Sequence, residues 1–186
     1  MHIFTGDPII IWDTEYTSRE WAMARNWSWP NEYKELVQLW AILVDPITWM
    51  EVDSFQCFVK PRINATLSDF FVSLTEITQA QIDTDGIDFA AALQQFMDWT
   101  KNREAYSFGG DEEILQINCE LYNIPRTMKN IFHDARDVFR QAGIPAEKYN
   151  SGTINKYFNI PNNDTEHNAL ADARNILSSL KTLYSK

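Results

Sequence analysis

Ile9-Ile10-Ile11-Trp12-Asp13-Thr14-Glu15 is the stretch on which the fold turns. It reads as an apolar strand that stops on two carboxylates. A strand presents residues i and i+2 on one face, so Asp13 and Glu15 point the same way. Two like charges placed so repel unless a cation sits between them. Near the other end, His167-Asn168-Ala169-Leu170-Ala171-Asp172 sets a histidine ahead of an aspartate at the mouth of a helix. If the fold carries Asp172 to Asp13 and Glu15, three carboxylates converge. Hard divalent cations with oxygen ligands are the usual resolution of such a cluster. With a histidine nearby to move a proton, the pattern outlines a two-metal phosphodiesterase.

The bulk of the chain sets the frame for that site. Its 186 residues suffice for one domain, 1–186, with a sizeable core. Apolar residues make up 45% and aromatics 13%, enough to fold without staples. Cys57 and Cys119 form no CxxC pair and have no metal-ligand spacing. No stretch approaches the ~20 apolar residues of a membrane span, and there is no basic leader followed by an apolar run. The expectation is a soluble protein of a reducing, cytoplasmic compartment with no membrane partner. The net charge of −10 argues against broad adhesion to nucleic acid. An enzyme that grips only a strand end needs few phosphate contacts, and Arg19, Arg25, Lys34, Lys60, Arg62, Arg126, Lys129, Arg136 and Arg140 are available.

Residues 8–14, 35–44 and 49–60 read as three sequential strands with short turns, an antiparallel meander. Between the first two, residues 16–33 are irregular and aromatic, with Trp21, Trp27 and Trp29. A short helix starts at Leu67-Ser68-Asp69, Thr75–Ile82 leads into a second, and 87–101 carries a helical period. Ala105–Phe108 is a strand broken by Gly109-Gly110. Asp111 is expected to cap a helix over 112–122. Residues 130–141, 151–158 and 168–184 read as helices. The order implies an α/β fold, a mixed five-stranded sheet flanked by helices.

Tyr106-Ser107-Phe108-Gly109-Gly110-Asp111 repeats the opening pattern of a strand leading to a carboxylate. With it, the chain resembles the DEDDh 3′–5′ exonuclease superfamily of ribonuclease H-like fold. The D-x-E motif matches Asp13-Thr14-Glu15, the second-motif aspartate matches Asp111, and H-x4-D matches His167 and Asp172. Phe58-Val59-Lys60-Pro61, Leu67-Ser68, Phe70-Phe71 and Leu74-Thr75-Glu76-Ile77-Thr78 resemble the Eri-type, histone-mRNA exonuclease-like branch, as does Ala169–Ile176. Gly110 departs from the apolar residue usual before the second aspartate, and Glu112 is the rival for that position.

The resemblance implies two Mg²⁺ or Mn²⁺ ions on Asp13, Glu15, Asp111 and Asp172, with His167 as general base. It implies that Thr14, Tyr16, Leu74 and Thr75 contact the terminal nucleotide; Phe108 is either close by or part of the core. The expected activity is removal of nucleoside 5′-monophosphates from 3′ ends of single-stranded nucleic acid, RNA ahead of DNA. The rivals are a DNA exonuclease of proofreading or repair type and a binding module that kept the fold without the chemistry. The Trp-rich loop either stacks on bases or packs against the body, and oligomeric state is left open.

Overall fold

A computed structural model describes residues 4, 6–125, 131–161 and 168–185. His167, the segment 162–166, Arg126 and Lys129 lie outside the described residues. The strands are β1 (Ile9–Tyr16), β2 (Leu36–Asp45), β3 (Met50–Phe58), β4 (Ala105–Ser107) and β5 (Phe132–Asp134). The helices are α1 (Asp69–Thr75), α2 (Gln79–Asp85), α3 (Phe89–Thr100), α4 (Asp111–Leu121), α5 (Ala135–Gln141) and α6 (Ala169–Tyr184). Short 3₁₀ turns occupy Ala146–Lys148 and Ile154–Phe158.

The sheet order is β3-β2-β1-β4-β5. The first three strands form the expected meander, with Ile9 opposite Val44 and Glu15 opposite Gln38. β4 pairs parallel to β1 (Ile10 opposite Ala105), and β5 pairs parallel to β4. β1 is therefore central, which explains an unbroken apolar run: both of its faces are covered. Ile9 and Ile11 pack with Val138, Phe139, Ile176 and Leu180 of α5 and α6. Ile10 and Trp12 pack on the other face with Phe89, Phe96, Ile114 and Leu115 of α3 and α4.

Three sequence expectations change. β1 does not stop at residue 14; the ladder with β2 carries Asp13, Thr14, Glu15 and Tyr16 as strand residues. Residues 130–141 are not one helix. Phe132–Asp134 is the fifth strand, and the Asp134 side chain then caps α5 through the N–H of Arg136 at 2.9 Å. Three residues are too few for a strand period to register beside a helical pattern. Asp111 is the first residue of α4, with Gly110 in the cap position. The turn leading there needs Gly109, whose φ of +123° is open to glycine and closed to ordinary side chains.

Candidate active site

The two-residue period of β1 assigns each polar residue its neighbour. Asp13 and Glu15 continue the face of Ile9 and Ile11, toward α6. There Asp172, in the first turn of the helix, meets them. One carboxylate oxygen from each of Asp13, Glu15 and Asp172 lies within 4.8 Å of the others, and all three side chains are buried. Thr14 continues the opposite face, toward α4. Its backbone N–H and hydroxyl both donate to Asp111 Oδ1, at 3.0 and 2.6 Å. Because β1 and β4 are parallel, their C-terminal ends lie side by side, and the start of α4 falls next to the D-x-E segment.

Charge and burial act in one direction here. Burial raises the Asp13 pKa well above the ordinary carboxylate range, and the charges of Asp111, Asp172 and Glu15 raise it further; a hydrogen bond from Ser151 opposes them. Glu15 is raised by burial, then by Asp172 and Asp111. Asp111 is raised by burial against the lowering effect of its bonds from Thr14 and Ser107. These carboxylates feel one another, so Asp111 belongs to the same electrostatic unit although it lies beside the trio. Glu112, half-buried on the next position, is not among the charges that chiefly raise Asp13 and Glu15.

Buried carboxylates that raise one another's pKa need positive charge to ionise together. All the donors are hard oxygens, the set preferred by Mg²⁺, Mn²⁺ and Ca²⁺ rather than by soft-ligand metals. The residues present therefore fit divalent cations. Ser151 adds support from outside the D-x-E segment, its hydroxyl donating to Asp172 Oδ2 at 3.1 Å.

The acids open into a cleft of about 270 Å³. Thr14, Tyr16, Leu74 and Phe108 line it, and Phe108 also packs in the core with Phe139. Burial and the acids around it push the Tyr16 hydroxyl up to about 12, so it remains a donor. Thr75 is not part of that lining. It ends α1, with its hydroxyl donating to the Phe71 carbonyl at 2.9 Å and accepting from Ile77 N–H at 3.2 Å. Lys34, one of the available basic residues, and Phe71, of the family-like run, also line the cleft, and sequence reasoning missed Met23, Asn150 and Ser151 there. Their signal was weak, since each sits in a loop or on a helix with no motif of its own. The Trp-rich loop divides: Trp27 lines the cleft and donates its indole N–H to the Thr17 carbonyl at 3.2 Å, whereas Trp21 and Trp29 are 69% and 60% exposed.

A family model for exonucleases, RNase_T, matches residues 10–180. Human 3′-5′ exoribonuclease 1 is 35% identical over 102 residues, covering 50% of this chain and 29% of that protein. The 3′-5′ exonuclease eri1 of Schizosaccharomyces pombe is 31% identical over 119 residues, covering 64% of this chain and 37% of that protein. The chain thus spans well under half the length of these curated relatives. Among solved structures, the nuclease domain of 3′hExo, a DEDDh family member bound to rAMP, superposes with a TM-score of 0.78 at 26% identity. The match covers 97% of this chain and 94% of that one. With the acidic constellation and the RNase_T match over nearly its full length, this chain belongs to the DEDDh exonuclease family.

Proposed function

We propose that this protein hydrolyses phosphodiester bonds stepwise from the 3′ end of single-stranded RNA, releasing nucleoside 5′-monophosphates. One observation carries the reading: Asp13, Glu15 and Asp172 offer oxygens within 4.8 Å of one another at the floor of a cleft that Asp111 also lines. The RNA preference draws support from the Eri1-type relatives and from the rAMP named with the 3′hExo structure.

In this reading Asp13, Glu15, Asp111 and Asp172 hold two divalent cations, Mg²⁺ or Mn²⁺. Cations bound there supply an activated water and neutralise charge on the phosphate and the departing 3′ oxygen. Thr14 holds the Asp111 carboxylate in one orientation, and Ser151 does the same for Asp172. Tyr16, Leu74 and Phe108 form the walls against which the terminal nucleotide is oriented. His167, the histidine of the H-x4-D motif, is the general base that takes a proton from the attacking water.

The test is a panel of strands labelled at the 3′ or the 5′ end, as RNA, DNA and duplex, each incubated with Mn²⁺. Immediate release of labelled mononucleotide from 3′-labelled RNA, with a ladder shortening from the 3′ end of 5′-labelled RNA, is expected. Faster loss of DNA would transfer the assignment to the deoxy substrate. Intact strands throughout would leave the chain a binding module of this fold.

A further inference from the structure

The loop between β1 and β2 is closed at its neck. Thr17 N–H donates to the Glu35 carbonyl at 2.8 Å, Glu35 N–H donates to Thr17 Oγ1 at 3.1 Å, and that hydroxyl donates to the Tyr33 carbonyl at 2.5 Å. The loop is pinned elsewhere too. Ser68 Oγ donates to the Ser18 carbonyl at 2.6 Å, and the Trp27 indole is tied to Thr17. Lys34 sits just inside the neck, its carbonyl accepting from the side-chain amide of buried Asn118 at 2.9 Å. The segment beside the acids is thus a fixed wall, and Lys34 holds a fixed place on it.

Lys34 is the one cationic side chain lining the acid-floored cleft among the described residues. Its Nζ lies 4.7 Å from the centre of the Trp27 ring. A cation over an indole face is held by the ring quadrupole, which lowers the entropic cost of ordering a long side chain when a ligand arrives. Three arginines nearby are engaged: Arg25 with Glu32, Arg62 with Asp88, Arg136 with Asp134. Lys34 forms no ion pair among the described residues. Lys34 and the carboxylates line the same cleft; a cation there would disperse strand charge beyond the scissile phosphate.

We propose that Lys34, seated on Trp27, binds a backbone phosphate of the strand on the 5′ side of the scissile bond and makes the loop a guide for single-stranded substrate. The inference rests on the phosphodiesterase reading of the cleft and adds to it a residue that the family motifs do not contain. In a chain of net charge −10, one placed cation rather than a basic face supplies the grip.

The experiment is equilibrium binding of a 5′-fluorescein-labelled single-stranded RNA with phosphorothioate 3′-terminal linkages, titrated in Mn²⁺ over a range of salt. Each neutralised phosphate on a single strand contributes about 0.7 to the slope of log affinity against log salt. Lys34→Gln is expected to lose about that much slope, about 1 at most, and to bind several-fold more weakly at low salt, with affinity for a nucleoside 5′-monophosphate little changed. Lys34→Arg is expected to restore the slope. Lys101→Gln, which removes an exposed charge at the end of α3, is expected to leave it alone. A Lys34→Gln slope equal to wild type, or equal losses in both glutamine variants, would overturn the proposal. Wild type that binds with the lysine-dependent slope yet hydrolyses no strand would sink the exonuclease reading and its scissile register, and would leave only the contact of Lys34 with a strand phosphate. Wild type that does not bind RNA would overturn both.

Discussion

Thr14 donates twice to one oxygen of Asp111, by its backbone N–H at 3.0 Å and its hydroxyl at 2.6 Å, across 97 residues of sequence. The residue between the two acids of the first motif is therefore not a spacer. It orients the acid of the second motif from the opposite face of the same strand. Thr14→Val keeps the β-branched shape and the N–H but deletes the hydroxyl. A hydrogen bond to a carboxylate contributes about 1.5–3 kcal/mol, and loss of an orienting partner typically weakens metal binding 10–100-fold. Calorimetric titration with Mn²⁺ is expected to show a loss within that range; wild-type affinity in the variant would mean the hydroxyl is incidental.

Asp111 against Glu112 is a direct contest. Asp111 is buried and is one of the chief charges raising both Asp13 and Glu15, whereas Glu112 is only half-buried on the adjacent position. Asp111→Ala is expected to reduce turnover of RNA by about 10²–10³-fold, the scale of removing a charge-stabilising group from a reaction centre. Glu112→Ala is expected to stay within a few-fold of wild type. The reverse ranking in a kcat comparison would move the second-motif assignment by one residue.

The acid cluster also sets a pH dependence of stability. Burial first, and then the neighbouring acids, raise Asp13 and Glu15 above the carboxylate range. Between the unfolded pKa near ~4 and the raised folded values, the folded state binds more protons than the unfolded state. Stability contributed by these groups therefore falls as pH rises through that window. In chelator, Asp13→Asn is expected to flatten the decline of Tm with pH. Mn²⁺ is expected to stabilise wild type more at neutral than at acidic pH, because its ligands must be deprotonated. A Tm gain from Mn²⁺ that is independent of pH would contradict this.

Glu35 works in the other direction. Its carboxylate accepts from the backbone N–H groups of Arg62, Ile63 and Asn64 at 2.7, 2.8 and 2.5 Å and from the Tyr122 hydroxyl at 2.5 Å. Burial alone would raise its pKa; the bonds from Ile63, Tyr122 and Asn64 outweigh burial and lower it. Its stabilisation is present above the unfolded pKa and is lost as pH falls through the folded value. Glu35→Ala removes the acceptor shared by several part-buried donors, so a loss of about 1–3 kcal/mol is expected in urea unfolding. Tyr122→Phe is expected to cost about 1 kcal/mol. A Glu35→Ala cost below that of Tyr122→Phe would show the network to be dispensable.

Much of the site was legible because it is written in strand parity. Ile9 to Glu15 alternates between two covered faces, so the pairing of Asp13 with Glu15 followed from spacing alone, as did the long apolar run before it. The meander and the last helix were equally clear, their periods being long enough to register. The fifth strand was not, since Phe132–Asp134 is three residues long and runs straight into α5. Ser151 and Lys34 carry no motif; only tertiary placement brings them to the cleft. Thr75 lay in a segment that resembles the family, yet its hydroxyl is used inside the α1 terminus rather than on the cleft wall.

The most direct measurement compares wild type with Asp13→Asn on one 5′-labelled single-stranded RNA in Mn²⁺, following products from the first time point. The substitution keeps the shape of the side chain and removes one charge from the buried trio. Wild type is expected to shorten the strand one nucleotide at a time from the 3′ end and release 5′-monophosphates, and Asp13→Asn to leave it intact. Undiminished shortening by Asp13→Asn, or internal cuts by wild type, would contradict the account.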